Sequence, residues 1–296
     1  MRIGLCQVDG VLPNLALMRI AAWHKAQGDE VEWFFPLAHY ERVYASKIFT
    51  FTSDDPYLPP DAIRGGTGYA IPSRLPPEIE LCRPDYTLYP DFKAAIGFLT
   101  RGCPRKCPWC VVPRKEGDIA IVDDIAHVAQ GRKRVLLFDN NILAAPVDFV
   151  REQAEKMRRL NIRVDFNQAT DARLYNEETA RIMARVPWIR YPRLSCDTDG
   201  MIPHVLQSVR LLRANGWHGE VFCYVLARNG DVPSALHRIT ALLSADSAIV
   251  PFVMPFRELR PGGEAPDRRL RNLARWCNRV WIRKECSFAE YERRKA

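Results

Sequence analysis

Six short apolar runs, rich in β-branched and aromatic residues, recur through the last two thirds of the chain and restrict its fold more than any other feature. They are AIGFLT from Ala95, RVLLF from Arg134, IRVDF from Ile162, WIRYPRLS from Trp188, EVFCYVLA from Glu220 and AIVPFVM from Ala248. Helix-like stretches fill most of the gaps: DFVREQAEKMRRL, NEETARIMARV, PHVLQSVRLLRANG and SALHRITALLSA. Asn176 ahead of two glutamates marks one helix start, and Gly216 marks a helix end. Strands that alternate with helices pair in parallel, because the crossover returns the chain to the same end of the sheet. Six βα units at near-constant spacing predict a partial (β/α)6 barrel of the TIM type, short of the eight units that close one.

The first ninety residues read differently. RIGLCQV, EVEWFF, VYASKIFTF, DAIRGGTGY and DYTLYP are strand-like, and one clear helix runs from Pro13-Asn14 to Gln27, where Gly28 stops it. The fold class is therefore α/β: a small Rossmann-like parallel-sheet domain over residues 1–90, the partial barrel over 91–256, and a basic helical tail over 257–296. The boundary falls in the proline-rich stretch 70–94.

The 296-residue chain is 47% hydrophobic and 26% charged, as soluble globular proteins are, with no apolar run of the ~18 residues that a membrane helix needs. The N-terminal run breaks at Asp9-Gly10, too early for a secretory signal. A cytoplasmic, reducing location follows as the expectation, with no membrane partner. Nine cysteines are then thiols or metal ligands. Cys6, Cys82, Cys196, Cys223, Cys277 and Cys286 stand singly, as small buried hydrophobes do. The net charge is +8, and residues 257–296 carry twelve Arg/Lys against six Asp/Glu. Such an end suits nucleic acid or a phosphorylated metabolite. It equally suits a solvated helix face, since Leu270, Leu273, Cys277 and Val280 recur at helical spacing between the arginines.

The other three cysteines lie together in RGCPRKCPWC, directly after the first of the six strands, where a barrel carries its active site. Cys103, Cys107 and Cys110 are one ligand short of a structural zinc site. Three thiolates can instead hold a 4Fe-4S cube and leave one iron open. A zinc site completed by Cys196 or another cysteine, in a nucleic-acid-binding protein, is the competing reading.

C-x3-C-x2-C in this position resembles the signature of the radical SAM superfamily, with Trp109 where that family commonly has an aromatic residue. The resemblance implies a 4Fe-4S cluster on Cys103, Cys107 and Cys110, and S-adenosylmethionine on the open iron. It implies an electron donor such as flavodoxin or ferredoxin, and reductive cleavage to a 5'-deoxyadenosyl radical that abstracts hydrogen from a substrate. The Gly-Gly-Glu that many members carry after the second strand is absent. Asp139 and Asn140, with Asn141, stand there instead, while Gly262-Gly263-Glu264 lies after the wrong strand. At the third strand end, Asn167, Gln168, Asp171 and Arg173 suit the cosubstrate or the substrate, or else helix capping and an ion pair. At the fourth, Ser195 and Asp197 suit a ribose, and Cys196 is a candidate hydrogen-atom donor or a core thiol.

Residues 1–90 resemble the cobalamin-binding domain of some radical SAM enzymes, with Gly65-Gly66 as the glycine pair facing the nucleotide tail. Val11 stands where the Asp-x-His-x-x-Gly motif has its histidine. The domain is thus read either as a cobalamin site without a protein ligand, which would imply methyl transfer, or as a relic that shapes the substrate pocket.

Overall fold

The computed structural model describes residues 1–260 and 262–295. The class is mixed α/β, and every strand pairing is parallel except one two-residue hairpin.

The first unit comprises β1 (Arg2–Gln7), α1 (Leu15–Ala26), β2 (Glu30–Trp33), β3 (Arg42–Ser46), β4 (Ile63–Gly65) and the single turn α2 (Pro77–Glu80). The strands lie in the order β2-β1-β3-β4. Asn14 starts α1 by accepting from the Ala16 and Leu17 amides at 3.1 and 3.2 Å. That satisfies two of the orphan donors at a helix N-terminus. Ile3, Leu5, Leu17, Ile20 and Tyr44 form a small core with Ile79 of α2. DYTLYP is not the strand that its composition predicts. Asp85 accepts from the Thr87 amide at 2.8 Å and winds Tyr86–Leu88 into a 3-10 turn. The Tyr86 hydroxyl then accepts from the Ile96 amide at 2.9 Å, tying this segment to the second unit.

The second unit runs β5 (Ala95–Gly97), β6 (Thr100–Arg101), α3 (Val112–Lys115), β7 (Ala120–Ile121), α4 (Ile125–Ala129), β8 (Arg134–Leu137), α5 (Val147–Arg159), β9 (Arg163–Phe166), α6 (Glu177–Ala184), β10 (Arg193–Ser195), α7 (Ile202–Ala214), β11 (Val221–Ala227), α8 (Val232–Ala245) and β12 (Ile249–Pro255). All six apolar runs contain a strand. The fourth pairs late: Trp188 makes a single bridge to Val164, and Pro192 delays the ladder to Arg193. Spatial order follows chain order. One sheet is β5-β8-β9 and another β10-β11-β12, and bridges Val164–Trp188 and Thr170–Leu194 join the two. No pairing between β12 and β5 closes the set among the described residues.

The basic tail forms α9 (Arg268–Asn278), α10 (Val280–Glu285) and α11 (Phe288–Lys295). It is part of the main core, with Leu270, Leu273, Trp276, Cys277, Ile282 and Phe288 buried there. The Asn278 amide takes both backbone groups of Val253, accepting from its N–H at 2.6 Å and donating to its carbonyl at 3.0 Å. A side chain thus satisfies the outer edge of β12, which would otherwise be an open strand edge. Val280 departs from the expected stripe. Arg279 is extended and ends α9, so Val280 begins a new helix and is 38% exposed.

Candidate functional site

The cysteine loop is built on the β6–β7 hairpin. Thr100 pairs with Ile121 and Arg101 with Ala120, so the intervening chain leaves and returns at one point. Gly102 has φ +84°, and a Cβ there would lie 2.1 Å from the Asp118 carbonyl oxygen. Only glycine passes that point. Beyond it the Cys103 amide donates to the Gly117 carbonyl at 3.0 Å, and the Cys110 amide to that of Cys107 at 3.0 Å.

The loop base is held by the segment after β8. Asp139 is wholly buried and accepts from the Leu99 amide, from the Thr100 amide at 2.6 Å and from the Thr100 hydroxyl at 2.8 Å. Asn140 accepts from the Gly102 amide at 2.9 Å. The oxygens expected to receive a cofactor are therefore engaged with backbone, and these two residues position the loop. Asn141 is the member that reaches the sulfurs: its Nδ2 donates to Cys103 Sγ at 3.4 Å, while its buried Oδ1 has no hydrogen-bond partner.

The three thiols are free and half-buried, and burial pushes that of Cys110 up. Cations surround them. Arg105 donates from its amide to Cys103 Sγ at 3.4 Å and from its guanidinium to Asp171 at 2.9 Å. Arg173 clamps the same Asp171 at 2.7 and 3.1 Å and lies beside the Cys107 sulfur. Asp171 and Arg173 are thus brought to the cysteines and to each other. So is Asp197, whose carboxyl is raised by burial while Arg238, Arg173 and the Trp109 indole pull it down. Trp109 is covered on one face by Arg228, 4.9 Å from its centroid. Arg105 sits between the cysteines, a signal that the sequence reading passed over. The approach of Arg228 from the far end of β11 left no local signal.

Other expected residues lie apart. Cys196 is fully buried, donates weakly to the Thr198 carbonyl at 3.8 Å, and burial pushes its thiol to about 12. It lies in the core as a buried thiol, and no hydrogen bond links it to the cysteine loop among the described residues. Ser195 sits in the ladder opposite Tyr224. No three His, Cys, Asp or Glu side chains among the described residues converge as a single metal ion requires.

No protein-family model and no curated protein matches the chain.

A cavity of about 860 Å³ opens between the two units. Val11, Ile48, Gly65 and Gly66 line it from the first unit, at the C-terminal ends of β1, β3 and β4. Phe98, Phe138, Asn167 and Gln168 line it from the second. Asn167 and Gln168 thus face this cavity, after the same strand β9 that leads to Asp171. Gly66 has φ +96°, and a Cβ there would meet the Lys47 carbonyl oxygen at 2.3 Å, so packing alone demands glycine. Asp9 accepts from the Ile48 and Phe49 amides at 2.7 and 2.8 Å, fixing the loop that carries Val11.

Proposed function

We propose that the chain is a radical SAM enzyme in which Cys103, Cys107 and Cys110 hold a 4Fe-4S cluster at the mouth of a partial (β/α)6 barrel. What carries the reading is the C-x3-C-x2-C loop, placed directly after the first of six parallel strands in chain order. The residues around it fit such a group: three free thiols, Arg105 and Arg173 to offset anionic charge, and an unpartnered Asn141 amide oxygen beside Cys103. When bound with S-adenosylmethionine and reduced, a cluster of this kind supplies the radical that abstracts hydrogen.

The chain's own contributions are positional and electrostatic. Asp139 and Asn140 anchor the loop base through buried amides, so the cysteines project from a rigid rim. Asp171 fixes two guanidiniums at the sulfurs, keeping positive charge where thiolates must stay deprotonated. Trp109 and Asp197 border the same opening and suit the cosubstrate. The interdomain cavity holds the substrate. Anaerobic reconstitution tests this: wild type should bind about four irons per chain, turn brown and form 5'-deoxyadenosine. Cys107→Ala should lose colour and product together. Full activity in that variant, or one zinc in place of iron, would overturn the reading.

The cavity's place at the ends of β1, β3 and β4 favours a second reading, cobalamin-dependent methyl transfer. No histidine among the described residues lines the cavity, so a histidine-ligated cobalamin does not fit. Copurification of cobalamin, or methylated products on its addition, separates the two.

A further inference from the structure

The cavity wall carries more positive charge than it neutralises. Glu80 binds both Arg19 and Arg101, the latter at 2.9 Å. Glu116 lies 3.8 Å from the same Arg101. Lys115 and Arg74 are left over. Lys115 Nζ donates to the Thr67 hydroxyl at 2.7 Å, and the Arg74 guanidinium to the Lys115 carbonyl at 2.6 Å. Neither has a carboxylate partner among the described residues. Lys115 is half-buried, and its pKa is lowered by burial, with Arg101 and Arg74 adding to the effect against Glu116 and Glu80. A partly desolvated cation without a carboxylate in direct contact is costly to keep. The exposed Arg74 guanidinium adjoins it, and both are held by contacts that bind the first unit to α3. Phe98 and Phe138, packed edge to face, and Ile48 and Leu75 give the wall apolar surface as well.

We propose that this cavity binds an amphipathic anion: an apolar body bearing one phosphate or carboxylate, the charged group at Lys115 and Arg74. The volume suits a small organic molecule. As the assignment of a substrate class this rests on the radical SAM reading, but as the assignment of a binding site it does not.

Calorimetric titration of the full chain with 1-naphthyl phosphate, 1-naphthoate and 1-naphthol tests it without any turnover. One or both anions should bind about tenfold or more tighter than the neutral alcohol, and the tighter of the two identifies the head group. Lys115→Met with Arg74→Gln should abolish that preference, while Arg269→Gln on α9 leaves it intact. Should the double variant not fold, salt decides on wild type: affinity for the anion must fall steeply with ionic strength and that for naphthol must not. Equal binding of anion and alcohol, or an anion preference that survives the double variant or high salt, overturns the site. Neither result bears on iron content, so the cysteine reading stands or falls separately.

Discussion

At Gly102 the whole cysteine loop depends on one missing carbon. The positive φ and the Asp118 carbonyl at 2.1 Å from an added Cβ leave an alanine nowhere to go. Gly102→Ala should cost ~1–3 kcal/mol and reduce iron uptake even though every thiol remains, as melting and iron assay would show. An unchanged iron content would mean that the hairpin tolerates a shift. Asp139 carries a pH signature. Burial raises its carboxyl to about 6 from an ordinary 3.8, against the pull of the Thr100 hydroxyl and the Leu99 and Thr100 amides. Between those values the folded chain keeps a proton that the unfolded chain has released, so this group's contribution to stability falls as pH rises through the window. Asp139→Asn removes that titration. The melting temperature of wild type minus that of the variant should decline from about pH 4 to about pH 6, and a flat difference would sink the assignment. Reading Asp139 as a cofactor ligand was natural from sequence, because a carboxylate at a strand end serves backbone amides and ligands equally well. Only the depth of its burial separates the two.

Among the elements, the strands of the second unit were legible because a doubly covered strand must be apolar throughout. The misses are local competitions. Asp85 turned a strand-like run into a 3-10 turn, and Arg279 ended α9 before Val280 could join its stripe. The amphipathic stripe was otherwise sound, and α9 is structural: Leu273→Ala should cost ~2–5 kcal/mol as a buried cavity, measured by denaturant midpoint, with a loss below ~1 kcal/mol contradicting the packing. The edge cap by Asn278 had no sequence signature, since nothing near it in the chain announces that β12 lacks an outer partner.

For the molecule as a whole, the tail's charge invited a nucleic-acid reading beside that of a solvated helix face, and its apolar residues complete the main core. Truncation at residue 257 should therefore give aggregated or unfolded protein, not a folded one that has merely lost polyanion binding. A well-dispersed spectrum from the truncated chain would reverse that. The α/β class, the six strands and the cysteine loop follow from sequence alone, because periodicity and spacing act between near neighbours. Which polar groups converge did not. Asp171 was joined to two arginines at the sulfurs, Cys196 was buried in the core, and Lys115 and Arg74 were left without a carboxylate in contact beside a cavity. Those outcomes depend on packing between residues far apart in the chain, where charge balance and burial are decided only once the two units meet.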